Sequence, residues 1–271
     1  MPELPEVETT LRGIAPHLRG TRIERLSVRQ RRLRYPVPDG AEQEVAGRRI
    51  LTLRRRGKYL LLELDRGGLL IHLGMSGSLR VLPADIPPER HDHLDLRISG
   101  GRCLRLRDPR RFGTFLWTPD PLDDHPLIRR LGAEPLGPQF DGDLLYAASR
   151  GRRVPVKNFI MDARVVVGVG NIYANESLFA AGIHPNRPSG RVGRERYRRL
   201  ASSIKEILQS AIDQGGTSLR DFVREDGSPG YFALALRVYA RGGEPCTRCG
   251  CEIRQQRIGQ RSSFFCPRCQ R

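Results

Sequence analysis

The order of hydrophobic and polar residues predicts one helix at the start of the chain. Apolar side chains recur at intervals of four, three and four residues, which is the period of an amphipathic helix. A glycine at position 20 favours the end of that helix. We therefore expect a helix from about residue 3 to residue 19, with an apolar face made of Val7, Leu11, Ile14 and Leu18.

The next hundred residues show patterns typical of strands. KYLLLEL and LLIHLGM are apolar runs on either side of a DRGG turn. HLDLRIS and RCLRLRD alternate between apolar and polar positions around a Gly-Gly turn, which is typical of a β-hairpin. We predict a β-sandwich or flattened barrel that carries the N-terminal helix, followed by a linker rich in Pro, Gly and Asp at 119–138.

After the linker the apolar period becomes helical. The predicted segments are short helices at 144–150 and 155–162, a helix from Asn171 to about Gly182, and a long helix through Tyr197 and Ile212. The fold class is therefore α+β: an N-terminal β-sandwich with one helix, then a helical region. A last segment, from about residue 242, has a composition of its own.

That last segment carries the strongest local motif, CTRC followed by sixteen residues and CPRC. Two Cys-x-x-Cys pairs at this spacing predict a tetrahedral zinc site formed by Cys246, Cys249, Cys266 and Cys269. Four thiolates leave no open position for a substrate, so the zinc is expected to be structural. The residues between the pairs predict a β-hairpin with its turn near Gly259, and we expect Cys103 and Cys251 to bind no metal.

Charge narrows the possible partners. The formal net charge is +17 and the isoelectric point is about 10.7, which favours a polyanion. The arginines are spread along the chain rather than along one amphipathic helix, so nucleic acid is preferred to a membrane surface. No apolar run is long enough to cross a bilayer and the acidic start does not resemble a signal peptide. We expect a cytoplasmic protein.

Lysine is rare in this chain. Of the 47 basic residues only Lys58, Lys157 and Lys205 are lysines. Arginine and lysine are not interchangeable, because lysine offers a compact ammonium that can lose its proton. Lys58 follows three arginines in RRRGKYL, and we interpret it as a candidate functional amine.

The first residues, MPELPEVE, have two interpretations. Proline and several carboxylates suit the first turn of a helix. Removal of Met1 would also turn the ring nitrogen of Pro2 into a free secondary amine, and an α-amino group has a pKa of roughly 7.7–8.0. Such an amine is partly unprotonated near neutral pH and therefore nucleophilic.

Two turns and one helix start add candidate nucleic-acid contacts. DPRRFGTF places Phe112 beside arginines in a turn, as suits an apolar wedge that fills the space left by a flipped base. Met75 in HLGMSG is a second candidate wedge, although a core methionine is the ordinary interpretation. GVGNIYANE predicts a helix N-terminus at Asn171, which suits either an anion site or a simple helix cap.

Taken together, these motifs resemble the formamidopyrimidine-DNA glycosylases along the whole chain. They are PELPEVET, RRRGKYLLL, HLGMSG, DPRRFG, VVVGVGNIYANESLFAAGIHP and the four-cysteine hairpin. The resemblance implies a β-sandwich, a helix–two-turn–helix domain and a zinc finger, with boundaries that we place at 1–132, 133–241 and 242–271. It implies excision of 8-oxoguanine and formamidopyrimidines from duplex DNA, followed by strand cleavage through β,δ-elimination.

The resemblance also implies roles for single residues. Pro2 is the expected Schiff-base nucleophile, Glu3 the proton donor to the sugar, Glu6 its support and Lys58 an active-site ammonium. Arg261 is expected to serve the active site and to contact phosphate. The other expected DNA contacts are His72, His91, Met75, Arg110, Phe112, Lys157 and Asn171, and the loop at 216–231 is expected to close over the lesion.

Two alternatives remain open on the sequence. One is the sister enzyme, endonuclease VIII, which prefers oxidised pyrimidines. Leu4 stands where that enzyme has glycine, and the three insertion residues fit the purine enzyme better. The other is an inert DNA-binding protein that uses only the finger and the basic surface. For either enzyme we expect a monomer that binds double-stranded DNA containing oxidised bases or abasic sites.

Overall fold

A computed structural model describes residues 2–215 and 236–271. The described residues fall in two compact units, one formed by residues up to Arg130 and the other mainly by residues from Leu131 onwards. The loop at 216–231, which we expected to close over a lesion, lies outside the described residues.

The predicted N-terminal helix is present as α1, Leu4–Leu18. Glu3 is its N-cap residue, and proline stands in its first turn, where a missing N–H costs nothing. The apolar face is buried: Val7, Ile14 and Leu18 are each at most 1% exposed. The helix therefore presents its polar N-terminal turn at a fixed position on the sandwich.

The strands form two antiparallel four-stranded sheets, with strand orders β1-β6-β7-β5 and β2-β3-β4-β8. Both predicted hairpins are observed, β3–β4 and β6–β7, and a short helix α2 spans Ala41–Val45. The strands are β1 Ile23–Val28, β2 Ile50–Arg56, β3 Tyr59–Leu64, β4 Gly68–His72, β5 Ser78–Pro83, β6 Asp92–Ile98, β7 Arg102–Arg107 and β8 Thr114–Thr118.

One hydrophobic core joins α1 to the inward faces of both sheets. It takes alternate residues from each strand, such as Leu60 and Leu62 of β3 and Leu94, Leu96 and Ile98 of β6, as expected where one face of a strand is buried. The chain passes from one sheet to the other in the turns at 73–77 and 108–113, which connect β4 to β5 and β7 to β8.

The second unit is helical, as predicted. Its helices are α3 Gly142–Ser149, α4 Val156–Ile160, α5 Asn171–Ala180 and α6 Arg194–Asp213. They match the predicted segments to within a few residues at each end, which is the usual uncertainty of helix boundaries. The predicted linker contains one turn of 3₁₀ helix, Leu122–Asp124. The boundary between the two units also falls within this linker, between Arg130 and Leu131.

The C-terminal segment forms the predicted hairpin. Strands β9, Arg254–Ile258, and β10, Arg261–Phe265, pair antiparallel. Gly259 and Gln260 make the turn with φ angles of 54° and 62°. Within the part of the chain that the structure describes, no helix combines the length and the apolar character that a membrane span requires.

Candidate active site and nucleic-acid contacts

The start of α1 holds two predicted catalytic residues and their predicted support close together in the chain, and shields them from solvent. Pro2 is buried, and Glu3 and Glu6 are 2% and 1% exposed. The backbone N–H of Glu3 donates a hydrogen bond of 2.7 Å to Oε2 of Glu6. This contact fixes the backbone just after Pro2, and Glu6 thereby supports the positions of Pro2 and Glu3.

Arg55 links α1 to the turn that carries Lys58. Its Nε donates to Oε2 of Glu8 in the helix at 3.0 Å, and its Nη1 donates to the carbonyl of Gly57 at 3.0 Å. The Arg55 side chain is 10% exposed in this ion pair. Helix α1 also packs against β2 and β3, the strands on either side of Lys58. No local pattern distinguishes Arg55, since it is one of three consecutive arginines.

His72 lies beside the same turn, because β4 residue His72 pairs with Tyr59 of β3. Burial, together with the positive charges of Lys58 and Arg34, lowers the pKa of His72 to about 3. Its Nδ1 accepts the backbone N–H of Gly74 at 2.9 Å, so the proton of the neutral ring is on Nε2. A neutral donor and a nearby ammonium suit a phosphate group.

The three expected insertion residues belong to the two turns that cross between the sheets. Phe112 is a large exposed hydrophobic residue, 44% exposed, and Arg110 beside it is exposed as well. The guanidinium carbon of Arg110 lies 5.0 Å from the centre of the Phe112 ring, within cation–π range. Met75 is partly exposed in the other turn. An exposed aromatic ring at a turn is the arrangement expected of a wedge.

His91 is partly buried near the second of these turns. Its ring centre lies 6.4 Å from that of His93, and its carbonyl accepts the backbone N–H of Asp108 at 3.0 Å. These contacts show a role in supporting the turn. A contact between His91 and DNA stays a prediction.

In the second unit, Lys157 is buried rather than exposed. Its side chain is 0% exposed, and Nζ donates to the carbonyl of Ser262 at 2.8 Å and to the hydroxyl of Ser263 at 2.6 Å. We expected a direct contact with DNA, and the described position of the side chain does not suit one. Lys157 instead supports the hairpin next to Arg261, which is exposed at the start of β10.

Asn171 reaches the same strand from the N-terminus of α5. Its Nδ2 donates to the carbonyl of Ser262 at 3.2 Å, so both it and Lys157 converge on one backbone group next to Arg261. Sequence reasoning missed Asn175 one turn later, whose Oδ1 accepts the N–H of Phe264 at 2.8 Å. The start of α5 is thus attached to the hairpin by side chains from two successive turns.

Glu176 of α5 was also missed. Its side chain is buried, with 4% exposed. The carboxylate accepts three backbone N–H groups, those of Arg237, Val238 and Tyr239, at 2.8–2.9 Å. Three such donors satisfy a buried carboxylate. The contact fixes the chain where it enters the C-terminal segment, and nothing in the local sequence pattern indicates it.

The four predicted ligand cysteines form one cluster, with all four Sγ atoms within 4.8 Å of one another. Two pairs, Cys246–Cys269 and Cys249–Cys266, are 3.9 and 3.4 Å apart. Zinc–sulfur bonds of about 2.3 Å in a tetrahedron require sulfur atoms about 3.8 Å apart, so the cluster fits a structural zinc ion. A backbone N–H from Cys251 lowers the pKa of Cys249 to about 6, whereas burial raises the pKa of Cys266 and Cys269, so zinc binding has to displace protons from those thiols.

The predicted site residues therefore form two groups, one in each unit. The first unit brings together the residues of the start of α1, the Lys58 turn and the two crossing turns. The second unit brings Lys157 and Asn171 to the strand residues that follow Arg261, and it holds the cysteine cluster as well. The first group contains a candidate nucleophile with carboxylates beside it, and the second group contains residue types that contact phosphate.

Family models match most of the chain in three consecutive stretches. Residues 1–115 match the formamidopyrimidine-DNA glycosylase N-terminal domain, residues 131–223 match its H2TH domain, and residues 243–271 match the zinc finger found in FPG and IleRS. The helical second unit is therefore a helix–two-turn–helix domain followed by a zinc finger, as predicted.

Curated relatives match over their full length. The formamidopyrimidine-DNA glycosylases of Methylococcus capsulatus and Acidithiobacillus ferrooxidans are each 59% identical, with 100% of both chains covered. Among solved structures, a Lactococcus lactis FPG variant in complex with Fapy-dG-containing DNA is 36% identical at a TM-score of 0.92, with 100% of both chains covered. The Lactococcus lactis Fpg in complex with abasic-site DNA is 35% identical at a TM-score of 0.91, with 99% of both chains covered.

These matches agree with the arrangement described above, from the buried start of α1 to the cysteine cluster. The resemblance seen in the sequence is confirmed. The chain therefore belongs to the formamidopyrimidine-DNA glycosylase family, whose members are DNA-repair glycosylases with an associated lyase activity at abasic sites.

Proposed function

We propose that this enzyme removes 8-oxoguanine and formamidopyrimidines from duplex DNA and then cleaves the strand by β,δ-elimination through a Schiff base on Pro2. The observation that carries the proposal is the start of α1, where Pro2 is followed by the buried residues Glu3 and Glu6, and the backbone N–H of Glu3 donates a 2.7 Å hydrogen bond to the carboxylate of Glu6. The relative from Lactococcus lactis was solved with Fapy-dG-containing DNA and with abasic-site DNA, which supports this substrate class.

The chemistry begins when Met1 is removed and the Pro2 nitrogen becomes a secondary amine. Attack on the sugar C1′ forms a nitrogen–carbon bond, and the glycosidic bond breaks with its electron pair leaving on the base, which takes up a proton. Opening of the sugar ring between C1′ and O4′ then gives an iminium ion and a hydroxyl at C4′. An iminium ion acidifies the neighbouring C–H bond, which makes elimination of the phosphates accessible.

Glu3 protonates O4′ as the sugar ring opens, and in its ionised form it then takes the proton that leaves C2′. Loss of that proton expels the 3′ phosphate, and a second elimination expels the 5′ phosphate. Glu6 holds the backbone of Glu3 through the capping contact. Lys58, attached to α1 through Arg55 and Gly57, stabilises negative charge on the phosphate near the reacting sugar.

The remaining residues hold the duplex. His72, Asn171 and Arg261 contact backbone phosphates, with Arg261 also serving the active site. Met75, Arg110 and Phe112 enter the space left by the everted nucleotide, and Arg110 faces the unpaired cytosine. Lys157 positions Arg261 through Ser262 and Ser263.

We further propose that the enzyme acts as a cytoplasmic monomer built from a catalytic domain at 1–132, a helix–two-turn–helix domain at 133–241 and a zinc finger at 242–271. The stretches matched by the three family models support this division. The net charge of +17 supports association with DNA.

Borohydride trapping tests the proposal. The purified protein is incubated with a duplex that contains 8-oxoguanine opposite cytosine, reduced with borohydride and digested for mass spectrometry. We expect an adduct on the Pro2 nitrogen of chains that lack Met1. An adduct on Lys58 would identify Lys58, and not Pro2, as the nucleophile. Tight binding by Met1-free protein without adduct or cleavage would reject the enzymatic proposal.

A second duplex distinguishes the substrate class. The same protein is given a duplex that contains a saturated pyrimidine, dihydrouracil, opposite guanine. We expect adduct formation to be much slower than with 8-oxoguanine. A preference for the pyrimidine would favour the endonuclease VIII-like alternative.

A further inference from the structure

The two turns that carry the proposed insertion residues lie side by side. The turn at 73–77 connects β4 to β5, and the turn at 108–113 connects β7 to β8. Because β4 pairs with β8 and β5 pairs with β7, both turns cross between the same two pairs of neighbouring strands. Met75 is in the first turn, and Arg110 and Phe112 are in the second.

A buried carboxylate joins the two turns. Asp108 is 0% exposed, and each of its oxygens accepts one hydrogen bond. Oδ1 accepts the hydroxyl of Ser76 at 2.8 Å, across 32 residues of sequence, and Oδ2 accepts the backbone N–H of Gly113 at 2.7 Å. The carboxylate therefore closes its own turn and holds the neighbouring one.

Ser76 extends the connection to Arg110. The Ser76 hydroxyl donates to Asp108 and accepts the backbone N–H of Arg110 at 3.2 Å. Ser76 directly follows Met75 in the chain. Its hydroxyl therefore connects the turn of Met75 to the backbone of Arg110 in the other turn. We name Asp108, Ser76 and these hydrogen bonds the clasp.

The backbones of the two turns are also in close contact. Gly74 has a φ of +64°, and a Cβ atom added to it would lie 2.4 Å from the carbonyl carbon of Phe112. Only glycine fits that approach. Arg111 has a φ of 58°, an uncommon value for a residue with a side chain, and its N–H donates to the carbonyl of Asp108 at 3.1 Å. The second turn is therefore held in a specific conformation against the first.

We propose that Asp108 and Ser76 are positioning residues that hold Met75, Arg110 and Phe112 as one preformed unit for insertion into the duplex. This inference rests on the proposed function, because it assumes that those three residues enter the space left by the everted nucleotide. Rigid preorganisation lowers the entropy lost when side chains become ordered on binding. The clasp supplies it from residues that need not touch DNA themselves.

The first test measures insertion without chemistry. A duplex is prepared with a tetrahydrofuran abasic analogue opposite pyrrolocytosine, a cytosine analogue whose fluorescence rises when it is unstacked. Binding of the unaltered protein is expected to raise the fluorescence. Ser76→Ala is expected to raise it less at saturating protein, and Ser76→Thr, which keeps the hydroxyl, is expected to restore it.

The second test compares two substrates. Ser76→Ala is expected to remove 8-oxoguanine opposite cytosine roughly tenfold more slowly, because the hydrogen bonds of the hydroxyl to Asp108 and to the N–H of Arg110 are lost. It is also expected to discriminate less between cytosine and adenine as the base opposite the lesion. Borohydride trapping on a single-stranded oligonucleotide with an abasic site should be unchanged, since no duplex has to be entered. Ser78→Ala, at the start of β5 outside the clasp, is the matched control.

The outcomes separate this inference from the proposed function. Normal fluorescence and normal base discrimination in Ser76→Ala would overturn the clasp. An equal loss on duplex and single strand would also overturn it, since that would indicate a general structural defect. If the unaltered protein inserts but forms no adduct, the proposed chemistry fails while the clasp stands. If the unaltered protein does not raise the fluorescence at all, the proposed insertion of Met75, Arg110 and Phe112 fails, and the proposed role of the clasp fails with it.

Discussion

Lys157 lies beneath the tip of the C-terminal hairpin and donates a hydrogen bond of 2.6 Å to the hydroxyl of Ser263. A second bond, of 2.8 Å, reaches the carbonyl of Ser262. A lysine is rarely buried completely, and here its polar atom is satisfied by the strand that begins with Arg261. The position of Arg261 thus depends on a side chain that is itself shielded from solvent.

Replacement of Lys157 tests this dependence. Lys157→Met keeps the length of the side chain and removes both hydrogen bonds, which should destabilise the hairpin tip by about 1–3 kcal/mol. We expect faster amide hydrogen exchange at residues 262–264 and weaker binding to abasic-site DNA at fixed salt. Lys205→Met, on α6 and partly exposed, is the control and should change neither. Unchanged exchange in Lys157→Met would contradict the supporting role.

Zinc removal should unfold the C-terminal segment, because about thirty residues cannot bury a sufficient core by themselves. We expect a chelator to abolish DNA binding and Cys249→Ser to lower the zinc content measured by atomic absorption. Cys251→Ser is the matched control. Cys251 contributes its backbone to the site, with its carbonyl accepting the N–H of Cys246 at 2.8 Å, while its side chain is outside the cluster. Loss of zinc in Cys251→Ser would require a different ligand set.

Two glycines with similar backbone angles should respond differently to alanine. At Gly20, with a φ of +79°, a Cβ atom would meet nothing within 4 Å, so Gly20→Ala should cost only the backbone strain of about 1–2 kcal/mol. Gly74→Ala adds the clash with Phe112 and should cost about 2–5 kcal/mol. Urea unfolding of both variants measures the difference, and equal losses would mean that the two turns separate easily.

The burial of His72 should make stability depend on pH. The folded-state pKa of about 3 lies below the ordinary value of about 6.5, so the unfolded chain binds a proton that the folded chain does not. The contribution of the neutral His72 to the free energy of unfolding is therefore fully present above about pH 6.5 and is lost as the pH is lowered towards 3. The loss from this one residue reaches at most about 2 kcal/mol at pH 5.

His72→Gln keeps a polar side chain without that titration. We expect the free energy of unfolding of this variant to fall less between pH 7 and pH 5 than that of the unaltered protein. Urea titrations at the two pH values give the comparison, in which other titrating groups cancel. Parallel losses in both proteins would show that His72 is protonated in the folded state.

The sequence predicted those parts of the molecule whose signals are local and periodic. The spacing of Val7, Ile14 and Leu18 is enough to predict a helix because burial of one face requires it. Alternation predicts the hairpins, and the Cys-x-x-Cys pairs predict the metal cluster, because the chemistry of tetrahedral zinc constrains the ligand spacing.

Contacts between distant residues left no such pattern. Ser76 and Asp108 are 32 positions apart, and either would suit an ordinary turn. Glu176 has the sequence context of any helical glutamate, yet it accepts three backbone N–H groups from residues 61–63 positions later. The burial of Lys157 was missed for a similar reason, since its hydrogen-bond acceptors come from a hairpin about 105 residues further along the chain.

The shared clasp has a consequence for how this protein can evolve. The turns at 73–77 and 108–113 are encoded far apart in the gene, but one set of hydrogen bonds fixes both. An insertion in either turn would break the contact with the other, so their lengths should be inherited as a pair among homologous sequences. Divergence in what these turns contact should then arise through exchange of the outward side chains, while the backbone that presents them stays unchanged.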